Sequence, residues 1–301
     1  MPLLVVGSVA LDSVETPTST REDVLGGSAV YFSYAASYFT PVLMCGPIGE
    51  DWPAAHTRFL SARNIDTSGL QTVAGGKTFR WRGKYQPNMN DRETLEVHLN
   101  VLGDFRPSLP LPFREARYVF LANGDPTTQL ATLEQIRQPK FVVADTMDLW
   151  IQTAHDELLE LLKRIDGVVL NDGEAQLLTG RTNLVAAGRR VLELGPGFVV
   201  IKKGEHGAMF FSRDETYVLP AFPTADVVDP TGAGDSFAGG MMGYLASVDD
   251  TSPRAIKRAL AYGTVVASFN VEDFSLDRMK AVERQALDER LKTYQAMLVI
   301  G

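Results

Sequence analysis

The stretch Asp229-Pro230-Thr231-Gly232-Ala233-Gly234-Asp235-Ser236-Phe237-Ala238-Gly239-Gly240 decides how this chain of 301 residues is read. Pro230 fixes its own φ and biases Asp229 away from the helical region, so the stretch marks a loop-to-helix junction. Gly232 and Gly234 lack the Cβ atoms that would hinder a tight backbone approach. The N–H groups freed in this way can face an anion, and a helix beginning near Asp235 puts the positive end of its dipole at the same spot. Asp235 stands beside that nest with a carboxylate able to take a proton. Taken alone, a G-x-G-D run is equally a glycine-rich turn with Asp235 as a plain N-cap. The chain has no Walker A run, G-x-x-x-x-G-K-[ST], so a phosphate cradle here must be of another type.

Working outward, short apolar runs recur at 3–6, 42–45, 118–121, 141–144, 168–170 and 198–201, each ending in polar or small residues. They read as buried parallel strands. Helical periods lie between several of them, at 29–39, 128–136, 156–164 and 185–194, which gives a doubly wound α/β sheet. After the glycine-rich stretch the pattern is all helical: 236–246, 253–269 and a last helix with apolar positions from Met279 to Leu298. Two segments, about 13–25 and 70–102, break the alternation. They are polar and turn-rich, and Phe79, Trp81 and Tyr85 share one face, as in antiparallel strands covering a site.

The segment from Asp229 to Met242 resembles the C-terminal signature of the ribokinase-like (PfkB) family of carbohydrate and nucleoside kinases, position by position through Gly239-Gly240. The resemblance spans nearly the full chain, with its strong motifs in the first ~50 and last ~130 residues. It implies one domain over residues 1–301, a three-layer, mostly parallel sheet with a small antiparallel β lid. It also implies ATP-dependent phosphorylation of an alcohol group. In that family the aspartate at the place of Asp235 takes the acceptor's proton, and the backbone of Gly232, Ala233 and Gly234 forms an anion hole. Phosphoryl transfer needs mainly positioning and charge stabilisation, which agrees with those roles.

Other residues take roles from the same resemblance. Asp12, read as following a first strand over residues 3–11, is placed against the acceptor's hydroxyls, with a turn aspartate as the alternative. Gly26-Gly27 lets the backbone approach the sugar, and the family has an Asn a few positions later; here the stretch reads Ser28-Ala29-Val30-Tyr31. Tyr31 is read as core, with stacking on an acceptor ring as the other option. Asn123, Asp125 and Asp145 end strands and line the cleft or only terminate them. Asn171 and Glu174 match an N-x-x-E motif that holds the nucleotide's Mg²⁺ through water, although a capping box explains the same spacing. Of the adjacent Lys202 and Lys203, strand alternation lets one reach the ATP phosphates. Lys203, with Gly204, is the expected one. Gly263 and Asn270 are expected to wall the adenine. Asp229 and Thr231 match positions that bind potassium in many relatives, next to the anion hole.

Composition narrows the classes further. The net charge of −8, with lysines and arginines dispersed, disfavours a nucleic-acid or anionic-membrane surface. The single cysteine, Cys45, excludes an intrachain disulfide and suits a reducing cytoplasm. No apolar stretch approaches the ~18 residues of a membrane span. The expectation is a cytoplasmic enzyme using ATP and Mg²⁺, with K⁺ and a homodimer through the lid left open. The acceptor is a sugar or sugar-like molecule. A nucleoside is the closest rival, since Tyr31, Phe79 or Trp81 could stack on a base. Arg80, Arg82 and Lys84 would serve an anionic acceptor. A non-catalytic sensor is disfavoured because it need not keep Asp235, and a Rossmann dehydrogenase because residues 7–11 lack G-x-G-x-x-G.

Overall fold

The computed structural model describes residues 1–299. Among them, thirteen strands form two sheets, and strands β1 (Leu3–Val6), β2 (Ala10–Glu15), β3 (Thr20–Gly26), β4 (Val42–Ile48), β5 (Ile65–Thr72), β6 (Phe79–Tyr85) and β7 (Arg92–His98) occupy the first third. The others are β8 (Tyr118–Leu121), β9 (Phe141–Asp145), β10 (Gly167–Asn171), β11 (Phe198–Lys202), β12 (Ala208–Ser212) and β13 (Thr216–Leu219). The large sheet runs β13-β12-β11-β10-β9-β8-β1-β4-β5, parallel from β11 to β5 and antiparallel at β12 and β13. The small sheet runs β3-β2-β6-β7; its outer pairs are antiparallel and β2–β6 is parallel.

Side-chain alternation sorts each long strand onto two faces. Leu3, Val5, Phe120, Val143, Val169 and Val200 meet α1 (Ser28–Ala36) and, later in the chain, the long α8 and α9 described below. Between them along the chain come α2 (Ala54–Ser61), α3 (Pro126–Leu133), α4 (Asp148–Thr153), α5 (His155–Leu162), α6 (Asp172–Thr179) and α7 (Leu184–Glu193). The opposite strand faces, including Leu4, Val6, Leu121, Leu170 and Ile201, pack on α3, α5, α6 and α7. Burial on both faces is why these strands read as unbroken apolar runs. The C-terminal third supplies α8 (Ala233–Val248), α9 (Pro253–Asn270), α10 (Asp277–Lys280) and α11 (Arg284–Leu298). All nine residues of α1 are buried, and Phe32 stacks on Phe120 with ring centroids 4.2 Å apart.

Three expectations need correction. The first strand does not reach Leu11: β1 stops at Val6, and Asp12 lies within β2 of the small sheet. Gly7 makes the departure, since a Cβ there would sit 2.6 Å from that of Ala122. The last helix is broken between Lys280 and Arg284, with α11 entered through an extended Glu283. Finally, residues 70–72 belong to β5 of the large sheet, and the small sheet draws on β2, β3, β6 and β7. It packs through Val14 and Tyr85 onto Phe274. Its β6–β7 tip reaches the far side of the cleft, where Asn90 Nδ2 donates to Glu205 Oε1 at 2.6 Å. No helix among the described residues is long and apolar enough to cross a membrane.

Candidate active site

The glycine-rich loop is tied down before it turns into a helix. Asp229 is fully buried; its Oδ1 accepts from Thr231 N–H at 2.9 Å and its Oδ2 from Ser275 N–H at 3.4 Å. Asn270, also buried, donates through Nδ2 to the Thr231 carbonyl and accepts from Ser236 Oγ, both at 2.8 Å. Gly232 then takes φ +74°, and a Cβ there would fall 2.3 Å from the ring of Tyr31, so glycine is required twice over. Helix α8 starts at Ala233, two residues before the expected point. Ala233 N–H bonds to Pro230 O, whereas among the described residues that of Gly234 has no backbone partner and that of Asp235 turns to its own carboxylate. These amides lie at the positive end of a sixteen-residue helix, a geometry able to face an anion.

Asp235 is half-buried beside them, and among the described residues only its own N–H engages its carboxylate. Burial and then the nearby Asp145 raise its pKa to about 7, against the pull of Lys202 and Arg92. Asp12 is raised to about 7 as well, chiefly by burial, with Asp229 and Asp235 adding to the rise. Its Oδ2 accepts from Gly27 N–H at 3.3 Å. A Cβ on Gly26 would lie 1.9 Å from that oxygen, and Gly27 has φ +99°, so this glycine pair is what lets Asp12 sit against the start of α1.

On the opposite side, Lys202 and not Lys203 faces the anion site. Lys202 Nζ lies 3.2 Å from Asp145 Oδ2, and a Cβ on Gly234 would be only 2.9 Å from that nitrogen. Burial works against the ammonium, yet Asp145, Glu174 and Asp235 together hold its pKa above the ordinary value. Lys203 instead opens the turn Gly204–His206, its N–H bonded to Gly207 O, and Gly204 takes φ +52° beside Asn90. Asn171 and Glu174 do form a capping box: Asn171 Oδ1 accepts from Glu174 N–H at 2.8 Å and Glu174 Oε2 from Asn171 N–H at 2.6 Å. Glu174 is pushed up to about 8 by burial, with Lys202 opposing and Asp145 adding. Its second carboxylate oxygen is not engaged by the cap. That hard oxygen close to Asp145 suits Mg²⁺ held through water.

The remaining expected residues make the following contacts within the chain. Gly263 lets α9 approach α8, since a Cβ there would lie 2.7 Å from Phe237 O. The Asn270 side chain clamps the glycine-rich loop, bonded to Ser236 and to the Thr231 carbonyl. Thr231 Oγ1 donates to Tyr85 OH at 3.2 Å. Asp125 caps α3. Arg80 pairs with Asp23 and Asp51, and Arg82 with Glu15. Asn123 accepts from Trp150 Nε1 at 3.1 Å at the edge of a cavity of about 140 Å³ lined also by Val6, Phe105, Leu121 and Gln129. Gln129 donates to the carbonyls of Leu121, Ala122 and Asp145, and its Oε1 is buried without a partner. Trp150 and Gln129 escaped notice in the sequence because each lies on a helix with nothing to mark it.

The arrangement therefore combines a carboxylate that no other residue engages, the amides at the start of α8 and a buried ammonium around one point. It can deprotonate a hydroxyl and hold an anion beside it. A model of the pfkB family of carbohydrate kinases matches residues 4–280. The chain is 33% identical over 294 residues to a nucleoside kinase of Methanothermobacter thermautotrophicus, covering 90% of this chain and 89% of the relative. It is 29% identical over 252 residues to a cytidine kinase of Thermococcus kodakarensis, covering 81% and 88%. The solved nucleoside kinase of Methanocaldococcus jannaschii superposes with a TM-score of 0.77 at 20% identity, covering 97% of this chain and 98% of that one.

Proposed function

This chain belongs to the pfkB family of carbohydrate kinases, and from that premise we propose that Asp235 is the general base of its active site. The enzyme is an ATP-dependent phosphotransferase acting on a hydroxyl of a sugar or nucleoside. The observation that carries the assignment is the Asp235 carboxylate, engaged by no other residue, next to the N–H of Gly234 at the start of α8. Asp235 takes the proton of the acceptor hydroxyl while its oxygen bonds to the γ-phosphorus and the bond to ADP breaks. The amides at the start of α8 and Lys202 hold the charge on the transferred group, an electrostatic effect worth on the order of 10²–10³ in rate per donor. Asp12 holds the acceptor. Glu174 and Asn171 would hold Mg²⁺ through water, where it neutralises phosphate charge. Potassium at Asp229 and Thr231 belongs to the same reading, tested by turnover in KCl against NaCl.

A nucleoside acceptor is favoured over a free sugar by the cavity beside Asn123, whose apolar walls and buried Gln129 Oε1 suit a flat base bearing an amino group. The two relatives named as cytidine and nucleoside kinases point the same way. The small sheet is the lid of this single domain, and its outer strand β7 leaves Leu95 and Val97 exposed for a second copy. The reading also places the enzyme in the cytoplasm. An ATP-consumption screen with Mg²⁺ across nucleosides, pentoses, hexoses and sugar phosphates tests it. Nucleosides turning over faster than free sugars is the expected result; activity confined to sugar phosphates would refute the nucleoside assignment.

A further inference from the structure

One buried polar group in the cleft has no part in the chemistry above. Tyr31 is 1% exposed, and its hydroxyl has no hydrogen-bond partner. Its position is fixed from two sides: α1 is buried along its whole length, and the ring lies flat against Gly232 at the mouth of the anion loop. The charged and polar groups acting on it most strongly are Asp12, Asp229, Tyr85 and Asp235, in that order, which together with burial keep it a neutral phenol. A neutral phenol can donate one hydrogen bond and accept another, whereas an ionised carboxylate only accepts. Native structures rarely leave such a group unpaired unless something else completes it.

We propose that the Tyr31 hydroxyl binds the acceptor directly, donating to a sugar hydroxyl that in turn donates to Asp12, and so helps to select the acceptor. The proposal rests on the kinase reading and names the kind of group recognised: a neutral hydroxyl next to the one being phosphorylated. A phosphate or carboxylate at this point would meet Asp12, Asp229 and Asp235 together. It also accounts for the stretch Ser28-Ala29-Val30-Tyr31, where the chain departs from the family's Asn.

Tyr31→Phe removes only the oxygen and keeps the ring on Gly232. Steady-state kinetics are measured with cytidine, 2′-deoxycytidine, 3′-deoxycytidine and ribose, alongside thermal unfolding without acceptor. The expected result is a rise of about tenfold in acceptor KM, ATP KM within about twofold, and a melting temperature no lower than wild type. The penalty for deleting one ring hydroxyl should also shrink about tenfold in the variant, as for two groups that contact each other. An unchanged acceptor KM overturns the proposal. So does a lower melting temperature without acceptor, since it would make the hydroxyl a structural partner. If no compound in the panel is phosphorylated, the kinase reading of the acceptor fails, and the melting comparison still decides whether the hydroxyl is structurally idle.

Discussion

On the side of the cleft built by α1, β2 and the start of α8, the carboxyl groups of Asp12, Asp229 and Asp235 gather with two tyrosines, and the cation that acts on Asp12 is Arg92 on an exposed strand. On the side built by the ends of β9, β10 and β11, Asp145 and Glu174 also lose water, but Lys202 sits against them. In the proposed reading the first side suits a neutral molecule carrying hydroxyls, and the second sets a cation, Lys202, next to the α8 amides that face phosphate. The same residue type thus has different work on each side, set by whether a positive charge shares its burial. Asp235 stands at the boundary, raised by Asp145 and lowered by Lys202.

Removing the cation should erase the difference most strongly. Lys202→Met leaves Asp145 and Glu174 buried without it, and a broken buried pair of this kind costs about 3–5 kcal/mol. Turnover should fall on the order of 10²-fold, the loss typical of one group stabilising a developing anion. Adding Asp145→Asn should restore much of the melting temperature but not kcat. A double variant with wild-type turnover would mean that Lys202 only balances Asp145.

A smaller effect is expected from Asn270→Ala, which strands Ser236 Oγ and the Thr231 carbonyl. Stability should fall by about 2–3 kcal/mol, within the cost of leaving buried polar groups unsatisfied. Because the anion loop loosens, kcat should drop about tenfold, the equivalent of roughly 1.4 kcal/mol. If ATP KM rises instead with kcat unchanged, Asn270 does wall the nucleotide.

A further effect is a pH dependence. With Asp235 raised to about 7, kcat/KM for the acceptor should climb with pH and level off above it. Stability should move the other way. Asp12 and Asp235 hold protons in the folded state between their ordinary value of 3.8 and about 7, so the folded chain binds more protons than the unfolded one in that window. Their contribution to stability is full below 3.8 and is lost as pH rises through about 7. Asp12→Asn should flatten that decline, as seen in melting temperatures from pH 4.5 to 8.

Much of the fold could be read in the chain because the central strands are buried on both faces. Residues such as Leu3–Val6 and Tyr118–Leu121 therefore form plain apolar runs. Strand β5, at an edge, reads Ile65-Asp66-Thr67-Ser68-Gly69-Leu70 and carries no such signal. The loop from Asp229 to Asp235 was legible because few side chains permit its geometry. Choosing between Lys202 and Lys203 needed more: β11 alternates, but only the packed structure reveals that α8 covers the face shared by Phe198, Val200 and Lys202. Asn171 and Glu174 stayed ambiguous because a capping box and a metal motif use the same three-residue step. The clamp made by Asn270 was not legible because its partners lie 34 and 39 residues away in the chain.

The division of the cleft is tested most directly by Asp235→Asn, with single-turnover phosphorylation of the best acceptor and the ATP dissociation constant measured on the same preparation. The rate should fall on the order of 10²–10⁴-fold, the usual contribution of a positioned base, while ATP affinity stays within about threefold. A variant that phosphorylates at the wild-type rate, or one that loses ATP binding in step with its rate, would contradict the assignment of Asp235 as the base between the two sides.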